Sequence, residues 1–166
     1  MNRPRIIGAA ILLFIMWTVG QVSAQTKAMT TEEMARRADV VAIGKVTATK
    51  SEWDQNKSRI VTRATMNVGE YVKGNAGSVM TFTTLGGEVD GVGEWYSHVA
   101  RFTKDEEVVV FAEKDKKGNY RVTGGSEGKI PIKRDERTWI ARVSSQITLD
   151  DFKSRIKQAL NPQQEK

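Results

Sequence analysis

Ile60 to Val72, IVTRATMNVGEYV, alternates with a period of two. Ile60, Thr62, Ala64, Met66 and Val68 fall on one face, and Val61, Arg63, Thr65, Asn67 and Tyr71 on the other. Successive side chains of a strand point to opposite sides, so this pattern is a half-buried antiparallel strand. Its length lets it bend across two halves of a barrel or sandwich. Gly69 inside it predicts a bulge or a sharp coil.

Other strands lie on both sides of it. Before it runs VVAIGKVTAT, from Val40 to Thr49, rich in β-branched residues. The polar segment Ser51 to Ser58, SEWDQNKS, reads as the hairpin loop between the two. After it come the turn Lys73 to Gly77, a strand Val79 to Leu85, and a long loop from Gly86 to Ala100, GGEVDGVGEWYSHVA. Glu107 to Lys114, EVVVFAEK, is continuous enough in apolar residues to be buried on both faces. A turn at Asp115 to Asn119, a strand Tyr120 to Thr123, a glycine turn and a short strand Lys129 to Ile132 complete the set.

Helices flank the strands. Thr30 and Glu33 stand at capping-box spacing and start a short helix that runs to about Ala38. Thr148 caps a second helix, with Asp150 and Asp151 in its first turn and Leu149, Phe152, Ile156, Ala159 and Leu160 as its apolar stripe. That stripe packs on the barrel or docks on a partner. The helical crossovers of a parallel sheet are missing. The predicted fold is therefore mainly β, a small antiparallel OB-like barrel of five to six strands with short N-terminal and C-terminal helices.

The N-terminus reads as an address. Arg3 and Arg5 precede an apolar run, Ile6 to Val19, and Val22-Ser23-Ala24 supplies small residues at signal-peptidase spacing. An uncleaved anchor is the alternative, but the run is shorter than the ~20 residues of a bilayer span. Residues 1–24 are thus predicted as a signal peptide, 25–145 as the barrel, and 146–166 as the C-terminal amphipathic helix and tail. The protein is expected to be secreted or periplasmic, with no transmembrane segment after signal cleavage.

Composition narrows the chemistry. The 166 residues contain no cysteine and one histidine, His98. Disulfide frameworks, thiolate nucleophiles, lipoprotein-type lipid attachment and zinc sites of Cys or several His are excluded. No cofactor and no metal site are expected. The 26 Lys and Arg against 20 Asp and Glu give a formal charge of +6, but the basic residues are scattered, so no specific nucleic-acid partner is expected.

The residues also carry a resemblance. ADVVAIGKV (Ala38 to Val46), SEW (Ser51 to Trp53), VGEYVKGNAG (Val68 to Gly77), TLGGEVDGVG (Thr84 to Gly93), RFTKDEEVVVFAEK (Arg101 to Lys114) and YRVTGGSEGKIPI (Tyr120 to Ile132) resemble a family of uncharacterised exported bacterial proteins. Lys104-Asp105 departs from that family's usual turn. The order of elements is more distantly similar to the OB-type barrels of netrin-like and metalloprotease-inhibitor domains. Their cysteine chemistry has no counterpart here. The resemblance implies a barrel and an envelope location, and no activity.

The long loop holds most of the candidate functional residues. Gly86 and Gly87 are not followed by a helix, so they make no phosphate cradle. Trp95 and Tyr96 are adjacent aromatics in a glycine-rich loop, joined by Trp53. Such a group is either a binding anchor or a plug for the barrel end. Glu88 and Asp90 lie at i, i+2, and His98 is near. The predicted binding set is Trp53, Gly86, Gly87, Glu88, Asp90, Trp95, Tyr96 and His98, with no catalytic residue. The expected function is a soluble binding module for a protein or cell-envelope ligand. The alternative is a hydrolase using Glu88, Asp90 or His98.

Overall fold

The structure is a computed structural model and describes residues 28–161. The signal-peptide reading of residues 1–24 lies outside these residues, as does the end of the tail. The elements are α1 (Thr31–Arg37), β1 (Val40–Trp53), β2 (Ile60–Lys73), β3 (Val79–Leu85), β4 (Gly87–Val89), β5 (Val92–Glu94), β6 (Glu107–Lys114), β7 (Tyr120–Val122), β8 (Lys129–Pro131), β9 (Lys133–Arg134), β10 (Ala141–Arg142) and α2 (Leu149–Leu160). The strand order β1-β2-β3-β7-β6 closes through a β1–β6 pairing, and β8 is an extra strand on β6. This is a small OB-like barrel. Its pairings are antiparallel except where β3 meets β7, at Phe82 and Tyr120.

The bulge is where Gly69 predicted it. Ile43 pairs with Glu70 and Gly44 with Val68, so Gly69 has no partner. One unpaired residue reverses the strand's parity. Tyr71, expected on the outer face, therefore turns inward with Val68 onto the barrel core. A second expectation fails at Ser51 to Trp53. β1 continues through these residues, with Ser51 opposite Thr62 and Trp53 opposite Ile60. Neither face of this strand end is buried deeply, so it has no apolar alternation to betray it.

Two apolar clusters share the strands. The barrel interior takes Val40, Ala42, Met66, Phe82, Val108 and Val110 among others. The outer face of β1 and β6 presents Val41, Val109 and Phe111 to α1 and α2. This is why β6 reads as a continuous apolar run. Phe152 of α2 meets Phe111 edge-on, with ring centroids 6.4 Å apart, and Ile156 is buried beside it. The terminal helix thus packs on its own barrel.

Sequence signals fix the helix ends and turns. Thr30 and Glu33 form the reciprocal capping box, and Thr148 Oγ1 accepts from Asp151 N. The last carbonyls of α1 receive a partner from afar. Lys73 Nζ donates to the carbonyls of Ala35, Arg36 and Ala38. A cation there also meets the negative end of the helix dipole. Three hairpin turns are held alike, by an aspartate that accepts backbone N–H bonds: Asp54 from Ser58, Asp115 from Lys117 and Asn119, and Asp135 from Arg137 and Thr138.

Candidate functional site

The barrel wall is incomplete at one end. β7 bridges β3 and β6 for only three residues. Beyond it β8 takes the edge of β6, and Thr83 to Leu85 of β3 pair with β2 alone among the described strands. Phe102 fills this gap. Its ring stacks on Phe82 at 5.4 Å, nearly parallel. Phe102 and Ala100, and not Trp95 or Tyr96, plug the barrel.

A half-buried ion pair holds the plug. Lys129 Nζ lies 2.7 Å from Glu106 Oε2, donates to the carbonyl of Arg101, and sits over the Phe102 ring. Glu106 also accepts from Thr103 N. Phe102, Glu106 and Lys129 thus meet at one point. Together they clamp the segment that carries Arg101.

Outside the plug lies a cleft of about 290 Å³. Thr49, Ser51, Thr62 and Thr84 line it from β1, β2 and β3, and Thr103 from the clamp. Trp95, Tyr96, Glu88, Glu94 and Arg101 are also at its walls. The strands explain the hydroxyls. Ala64 and Phe82 point into the barrel core, and one pleat further along the same face come Thr62 and Thr84. The inward row thus changes from apolar to hydroxyl at the mouth. Thr62 Oγ1 donates to the Gly86 carbonyl and lies 2.9 Å from Ser51 Oγ. Thr49 and Thr103 hydroxyls have no hydrogen-bond partner among the described residues.

Gly87 is what brings the long loop down onto this floor. It sits at φ 135, and a Cβ there would strike the Ser51 and Thr62 hydroxyls. The loop then forms a small hairpin of β4 and β5. Asp90 and Gly91 both have positive φ, the signature of a two-residue type I′ turn. Gly86 and Gly87 are therefore packing residues of the cleft.

The aromatics stand open. Trp95 is 64% exposed although the Arg101 guanidinium lies over its ring at 4.3 Å. Tyr96 is exposed too, its hydroxyl donating to Glu94 Oε2 at 3.0 Å. That bond to a carboxylate raises the phenol above its ordinary range, with burial and the Glu94 charge adding to it. The same carboxyl oxygen accepts from Ile60 N, so Glu94 ties the aromatic loop to β2. Trp53, at the end of β1, is exposed but does not line the cleft.

Of the expected set, Gly86, Gly87, Glu88, Trp95 and Tyr96 come together at the cleft. Asp90 is at the hairpin tip and does not pair with Glu88 across a cleft. His98, at φ 58, uses its carbonyl to accept from Ser126 N, and its ring is exposed outside the cleft. The hydroxyl floor, Arg101 and Phe102 escaped the sequence reading. So did Trp139, 73% exposed on the β9–β10 turn with Ile140. Among the described residues no group of three His, Cys, Asp or Glu could hold a metal ion. Comparison with protein-family models finds no match, and comparison with curated proteins finds none either. The molecule is thus defined by its own features, a small β-barrel with a built plug and an open, aromatic-flanked mouth.

Proposed function

We propose that this chain is an exported binding module that contacts a protein or cell-envelope ligand at its barrel mouth, through the Gly86 to Ala100 loop. The observation that carries the reading is the exposure of Trp95 beside a formed cleft. Large aromatics are costly to leave in water and are frequent anchors at interfaces. Trp95 is spared the plugging role because Phe102 performs it. Its position is also fixed in advance, by Arg101 on its ring and by Tyr96 bonded to Glu94. A pre-ordered anchor loses less side-chain freedom on binding.

Export and a secreted or periplasmic location rest on the signal-like N-terminus. No described helix is long and apolar enough to cross a membrane. The binding reading is preferred to the hydrolase because Glu88 and Asp90 do not face one another, and Glu94 is already committed to Ile60 N and Tyr96.

Pull-down from envelope extract tests it. The full chain as exported captures a partner, and Trp95→Ala with Tyr96→Ala loses the capture while melting is little changed. Capture that persists in the double variant overturns the proposal.

A further inference from the structure

We infer that the cleft takes a neutral sugar unit of a polysaccharide, an inference that rests on the binding reading above. Four properties of the site point to this chemistry. The first is the floor. Five hydroxyl-bearing residues, Thr49, Ser51, Thr62, Thr84 and Thr103, line one small space; the Ser51, Thr62 and Thr84 hydroxyls are bonded within the protein, and Thr49 and Thr103 are exposed at its rim. A hydroxyl both donates and accepts, which matches a ligand whose own groups do both. Those of Thr49 and Thr103 have no partner among the described residues and are available.

The second is the platform. Trp95 carries the Arg101 guanidinium over its ring and is still 64% exposed, so much of the indole is open to a ligand. A pyranose ring presents apolar C–H groups on its faces and hydroxyls around its edge. It can lie on the indole while its edge reaches the hydroxyl floor. A flat apolar surface beside a polar array fits that division better than it fits an aliphatic or a wholly polar ligand.

The third is charge. Glu88 and Glu94 line the cleft against Arg101, whose guanidinium is already on the indole. Nothing there favours an anion such as a nucleic-acid phosphate, which calls for a basic groove. No carboxylate cluster of the described residues suits a metal cation. A neutral ligand is what remains compatible with the walls.

The fourth is size. About 290 Å³ is at the small end for ligand sites, which run roughly 300–1,000 Å³. One ring of a chain fits, with its neighbours passing out along the exposed hairpin. A folded protein surface would need a broad patch instead.

Calorimetry of the full chain as exported, titrated with glucose and N-acetylglucosamine tetrasaccharides, provides the test, together with the same envelope pull-down after periodate treatment. Periodate cleaves sugar diols and leaves the polypeptide backbone. The expected result is binding to at least one tetrasaccharide. Trp95→Ala weakens it about tenfold or more, Thr49→Val weakens it while leaving Trp95 in place, and Trp139→Ala leaves it unchanged. Capture from the extract is lost after periodate where the ligand is a glucan, whose 1,4-linked units keep a C2–C3 diol; internal 1,4-linked N-acetylglucosamine has no vicinal diol and resists it, so for that sugar the tetrasaccharide titration decides. Envelope capture that depends on Trp95 but survives periodate, with neither tetrasaccharide bound, means a protein ligand: it overturns the sugar inference and leaves the binding module standing. Capture indifferent to Trp95 removes both.

Discussion

The two aromatic surfaces of this barrel have opposite fates. On the outer face Phe111 is covered by Phe152 and Ile156 of α2, and the apolar surface is sealed. At the mouth Trp95 borders a hydroxyl-lined cleft and stays 64% exposed under the Arg101 guanidinium. The difference lies in what the chain supplies nearby. An amphipathic helix covers the first surface. At the second, the chain supplies a separate plug, Phe102, and a clamp, Lys129 with Glu106, which leave the loop aromatics to face outward. Stability and presentation are thus divided between different aromatic residues.

Breaking the sealed side has the largest expected effect. Phe152→Ala removes a buried ring from the α2 interface and costs about 3 kcal/mol, a Tm fall of roughly 10 °C by calorimetry. Binding at the mouth, measured below the new Tm, stays intact, because α2 and the cleft share no residue. A smaller loss comes from Lys73→Met. It strips two α1 carbonyls and that of the C-cap Ala38 of their donor and costs about 1–2 kcal/mol, read from denaturant unfolding.

The smallest effect is that of acid on the turns. Backbone N–H bonds hold Asp54, Asp115 and Asp135 below the ordinary aspartate value of 3.8. Their contribution is fully present above about that pH and is lost as pH falls through the lowered values. Asp54→Asn, Asp115→Asn and Asp135→Asn together flatten the pH dependence of unfolding in that acid window.

Much of the scaffold was legible in the sequence because local rules govern it. Alternation in β2, the double-faced run of β6, the capping box of α1 and the stripe of α2 each report one element's own burial. The failures have physical causes as specific. Tyr71 changed face because a single unpaired residue, Gly69, inverts the parity of the residues that follow it. Trp53 was placed in a loop because the end of β1 is polar on both sides.

The site was legible only in its loop. Gly86, Gly87, Glu88, Trp95 and Tyr96 are close in sequence and chemically conspicuous. The floor was missed because Thr49, Thr62 and Thr84 come from three strands and mean nothing until the barrel closes. The inward parity running from Ala64 to Thr62 and from Phe82 to Thr84 was the available signal. Phe102 lay in a charged stretch, RFTKDEE, where no periodicity marked it as the plug. Gly124-Gly125 and Gly128-Lys129 show the converse. That motif serves the clamp, since Lys129 reaches Glu106 and Arg101, and it touches the cleft only through them.

The most direct measurement compares thermal unfolding of the Trp95→Ala, Tyr96→Ala double variant with that of Phe102→Ala. The double variant should stay within about 1 kcal/mol of the parent, as substitutions outside a core do, while Phe102→Ala loses about 2–3 kcal/mol. A double variant as unstable as Phe102→Ala would mean that Trp95 and Tyr96 seal the barrel, and an open mouth would be contradicted.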